Sequence, residues 1–88
     1  MPAPSYDHGA ANERLIGATL GEAFDRTVAA HRDRDALVVR HQGISWSWGE
    51  LGRRVDALAA GLLALGLEPG DRVGIWSQNC AEWVQMQF

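Results

Sequence analysis

Lysine is absent from this sequence: all eight basic residues are arginine. Within these residues that excludes a Schiff-base lysine, the lysine of a Walker-type phosphate loop and every other ammonium-based catalyst. Cysteine occurs once, at Cys80, which rules out an internal disulfide and fits a reducing compartment. No long hydrophobic run is present; the longest nearly apolar stretch, Ala57 to Leu67, is too short to span a bilayer. The opening MPAPSYDHGAANER has no charged segment leading into an apolar one, so it does not read as a secretory signal. A cytoplasmic chain without an integral membrane segment is expected. The net charge of −3 comes with no clustered basic face, which argues against a nucleic-acid partner.

What is present describes one small globular unit. Eighty-eight residues suffice for a single domain, and a chain of this size buries only about two-thirds of its unfolded surface. The 47% apolar and 22% charged residues are ordinary for a globular chain and do not suggest disorder throughout. Residues 1–15 hold Pro2, Pro4, Gly9 and polar residues without periodicity, and read as a flexible arm.

Three capping-box patterns punctuate the rest. Thr19 with Glu22 predicts a helix start, followed by an apolar stripe at Leu20, Phe24 and Val28. ALVVR (36–40) and ISWS (44–47), joined by His41-Gln42-Gly43, predict a β-hairpin. Ser47 with Glu50 opens a second helix, in which Trp48, Leu51, Val55, Leu58, Leu62 and Leu65 form an almost unbroken stripe. Gly66 stands where a left-handed C-cap is required. RVGIWS (72–77) predicts a strand, and Asn79 with Glu82 a third helix that places Trp83 and Met86 or Gln87 on one face. The order strand, helix, strand predicts an α/β fold, with a right-handed crossover if the strands are parallel.

The residues that could carry chemistry each have a competing structural role. Asn79, at the carboxyl end of a predicted strand, lies where ligands sit in α/β folds, but an N-cap role accounts for it fully. Cys80 would open a helix, where the macrodipole lowers a thiol pKa. It has no base nearby in sequence, since His8, His31 and His41 are all remote, and it reads as a small buried hydrophobe. The histidines show no metal-ligand spacing. Trp46, Trp48, Trp76 and Trp83 could line a nucleobase or acyl pocket, but three of them fall on positions the pattern assigns to burial. Gly61, Gly66 and Gly70 do not match a dinucleotide fingerprint. No catalytic, cofactor-binding or metal residue is assigned.

The order of these segments resembles the N-terminal part of the AMP-forming acyl-CoA synthetases, the adenylate-forming family that includes luciferases and peptide-synthetase adenylation domains. The resemblance runs from about Leu15 to Phe88. TLGEAFDRTVAAHRDRDALVV is similar to the family's opening helix and first strand, and SWGEL (47–51) stands where Thr-Tyr-x-Glu-Leu is common. LAAGLLALGLEPGDRVGIWSQN resembles its helix, glycine turn, Gly-Asp-Arg-Val strand and closing Asn, and AEWVQMQF resembles the helix that follows. The segments ALVVRHQG and GDRVGIWSQNCAEWVQMQF look closest to bacterial short- and medium-chain fatty-acyl-CoA ligases. Ser47-Trp48 in place of Thr-Tyr, and Gln78 where Pro is frequent, are departures that the same roles absorb.

The resemblance implies a two-step ligase. A fatty acid or similar carboxylate and ATP give an acyl-adenylate and pyrophosphate, and the CoA thiol then displaces AMP, with Mg²⁺ assisting. It also implies that residues 16–88 are the incomplete first part of a large domain. The family's phosphate loop ending in Lys, its later acidic motifs and its C-terminal lysine lie elsewhere, so these residues are expected to be inactive alone and to need the remainder of the domain for packing. Two alternatives remain open: an adenylation domain loading a carrier protein, and a non-enzymatic α/β interaction module.

Overall fold

The computed structural model describes Gly9, Asn12 and residues 15–88. Apart from Gly9, Asn12 and Leu15, the arm expected at 1–15 lies outside the described residues. The elements are α1 (Leu20–Ala30), β1 (Asp35–Val39), a 3₁₀ turn (Arg40–Gln42), β2 (Ile44–Ser47), α2 (Trp48–Ala64) and α3 (Ala81–Gln87). The fold class is α/β.

Local chemistry sets the ends of the first two helices. The Glu22 backbone N–H donates to Thr19 Oγ1 at 3.2 Å, and the Thr19 N–H donates to Glu22 Oε2 at 3.3 Å, closing the expected capping box. At α2 half of the expected box forms: the Glu50 N–H donates to Ser47 Oγ at 3.2 Å, while the Glu50 carboxylate turns to Arg53 and Arg54. The C-terminus of α2 is a Schellman motif. The Gly66 N–H donates to Leu63 O and the Leu67 N–H to Leu62 O, with Gly66 at φ 94°. Glu68-Pro69-Gly70-Asp71 then turns, with Pro pre-set at the second position and Gly70 at φ 91° in the third. The Asp71 carboxylate accepts the Glu68 N–H at 2.8 Å and closes it.

The hairpin pairs antiparallel, with Leu37 opposite Trp46, Val38 opposite Ser45 and Val39 opposite Ile44. Between Asp35 and Leu37 the register slips, leaving Ala36 as the extra residue of a bulge. The slip turns Ala36 and Leu37, neighbours in sequence, both toward the core, which strict alternation would forbid.

The core is Phe24 and Val28 from α1 against Leu51 and Val55 from α2, flanked by Leu37, Trp46, Trp48 and Val84. Phe24 stacks on Phe88, with ring centroids 4.6 Å apart, and tilts against Trp48 at 6.2 Å. The α2 stripe is fully buried only at Leu51 and Val55. Leu58 and Leu62 are half-buried, and Leu65 is 82% exposed.

The strand expected at 72–77 is not formed: residues 68–79 are all exposed and Trp76 stands entirely in solvent. Among the described residues the sheet has two strands, β1 and β2, and no third pairs with them. Extended backbone needs a neighbouring ladder to satisfy its N–H and C=O groups, and the described residues supply none here. The predicted crossover is therefore not closed.

One glycine tests the helix directly. Gly61 lies inside α2, and a Cβ added there would meet nothing within 4 Å, so Gly61→Ala should stabilise the chain by about 0.5–1 kcal/mol in chemical denaturation.

Candidate functional site

The sequence points first to the segment before α3. The structure shifts its cap by one residue: Cys80, not Asn79, is the N-cap of α3, and the Cys80 side chain makes no cap bond. The cap arrives from a distance. The Ala81 N–H donates to Gln42 Oε1 at 2.8 Å, and Gln42 Nε2 donates to Glu82 Oε2 at 3.1 Å. The third capping box is thus replaced by a side chain from the hairpin turn, 39 residues earlier. The bond from Gln42, then one from its own backbone, holds the Glu82 carboxyl below its usual value. No local pattern could reveal Gln42, because its partners are remote in sequence.

Cys80 is half-buried and its sulfur lies 3.2 Å from Ser77 Oγ. His31 caps the end of α1 and His41 sits in the 3₁₀ turn; both are exposed. His8 lies outside the described residues. Among the described residues no three of His, Cys, Asp and Glu cluster as a metal site would require. Three tryptophans, Trp46, Trp48 and Trp83, are half-buried, whereas Trp76 projects into solvent. Trp46 carries the Arg54 guanidinium 4.2 Å above its ring.

A cleft of about 250 Å³ opens where α1 crosses α2. Gly49 and Gly52 keep its floor low, Val28 forms one wall, and Asp25, Asp56, Arg32 and Arg53 surround it with balanced charge. Its only signal in the sequence is the Gly-x-x-Gly spacing at 49 and 52, which places both glycines on one helix face. Arg53 is already engaged: it donates to Glu50 at 2.6 Å, and Arg54 donates to the other oxygen at 2.8 Å. These two bonds, Arg53 first, lower the Glu50 pKa.

The N-terminus of α2, which borders this cleft, has its first donors taken. The Trp48 N–H bonds Arg34 O at 2.9 Å, the Gly49 N–H bonds Arg32 O at 3.0 Å, and Ser47 takes the Glu50 N–H. A phosphate at a helix N-terminus needs such donors unpaired. The geometry is that of a scaffold: the backbone donors and the ion pairs beside the cleft are directed at the chain's own structure.

Comparison with known proteins defines the class. The chain belongs to the AMP-binding enzyme family, whose model matches residues 24–88. Among curated relatives, "Medium-chain acyl-CoA ligase ACSF2, mitochondrial" of Mus musculus is 41% identical over 84 residues, covering 96% of this chain and 14% of that protein. The protein of the same name from Danio rerio is 43% identical over the same shares. "Acyl-CoA ligase SID4" of Ajellomyces capsulatus is 38% identical over 81 residues, or 92% of this chain and 14% of its own length. This chain therefore spans about a seventh of the relatives it matches. No solved structure matches it.

Proposed function

We propose that these residues are a structural part of a fatty-acid–CoA ligase that works through an acyl-adenylate and releases AMP and pyrophosphate. The observation that carries this reading is the similarity, over nearly the whole chain, to proteins named medium-chain acyl-CoA ligases. The substrates are then ATP, CoA and a fatty acid of medium length. A cytoplasmic location belongs to the same proposal, supported by the single cysteine.

The described residues do not fit the groups that such chemistry needs. No acidic or histidine cluster among them could hold Mg²⁺. The first N–H groups of α2 that could cradle phosphate are bonded to protein, and the sequence has no lysine. No step of the reaction is therefore placed on this chain. Its contribution is α1, the hairpin and α2, together with apolar surface at Leu63, Leu65, Ile75 and Trp76 that the rest of a large domain would cover.

Two assays test the reading. The 88-residue chain alone should catalyse no ATP–pyrophosphate exchange with any fatty acid, and exchange above background would show a site that the scaffold reading denies. The complete reading frame should form AMP only when both CoA and a medium-chain acid are supplied. Transfer to a carrier-protein thiol but not to CoA would overturn the acceptor.

A further inference from the structure

We draw no further inference here: the strongest candidate, the side-chain cluster of Gln42, Ser77, Cys80 and Glu82 at the start of α3, belongs to the site already described, where its hydrogen bonds are directed at the chain's own groups and its one thiol is a lone cysteine.

Discussion

Leu51→Ala should abolish the cooperative unfolding transition of this chain or lower its midpoint by more than about 10 °C, since about 1 kcal/mol shifts a domain of this size by some 4–8 °C. Leu51 is 2% exposed and, among the described residues, is the largest side chain that is fully buried. It sits where α1 and α2 meet, in one cluster with Phe24, Val28 and Val55. Truncation loses the transfer free energy of the removed carbons and leaves a void, together about 2–5 kcal/mol for a leucine in a core. The total available is small: roughly 0.05–0.15 kcal/mol per residue is typical, and among the described residues the buried hydrophobics number five, one of them an alanine. The radius of gyration, 16.4 Å, exceeds the roughly 12 Å of a compact domain of this length, so the usual burial is not reached. Leu63→Ala, at an exposed position on the same helix, provides the control. It should change stability by less than about 0.5 kcal/mol. Circular dichroism during heating and in urea reads both variants. A Leu51→Ala chain that melts within a few degrees of the parent would mean that the α1–α2 cluster does not hold the fold.

Periodicity and capping chemistry make most of α1, the hairpin and α2 legible in the sequence. The reason is that each of these elements is specified by residues close together along the chain. Thr19 and Glu22 are three residues apart, and Gly66 makes its Schellman bonds within one turn. Legibility fails where the deciding partner is distant or lies outside these residues. Asn79 has the residue type of a cap, yet Gln42 supplies the bond, because the hairpin turn lies against the start of α3. RVGIWS has the composition of a strand, but composition cannot supply a ladder, and the segment stays unpaired. The α2 stripe divides for the same reason: Leu51 and Val55 find α1, whereas Leu65 finds nothing. Family membership was legible from the order of the segments rather than from any functional group. The motifs that resemble the family are turns, caps and apolar stripes, and most of them have a mechanical role in the structure.

The crossing of α1 over α2 depends on Gly52, and enlarging that residue should have the second largest effect. A Cβ at position 52 would lie 3.0 Å from Val28 Cγ1 and 3.4 Å from Cγ2. Val28 is buried and β-branched, so its methyl groups cannot rotate away cheaply. The helices themselves would have to separate. For Gly52→Ala two effects oppose one another: alanine improves helix propensity by about 1 kcal/mol, and overpacking costs about 1–3 kcal/mol. The net should lie between no change and about 2 kcal/mol of destabilisation, in contrast to the gain expected for Gly61→Ala on the open side of the same helix. Gly52→Leu adds three further carbons with no further gain in propensity, and should cost more than about 3 kcal/mol and widen the cleft beside Asp25 and Asp56. Combining Gly52→Ala with Val28→Ala removes the methyl groups that obstruct the new Cβ. If the 3.0 Å approach governs the crossing, the urea midpoints of the two single variants and the double variant should reveal a favourable coupling of about 0.5–3 kcal/mol, the range for residues in direct contact. Strict additivity across that cycle would show that α1 and α2 are set apart by something other than the size of residue 52.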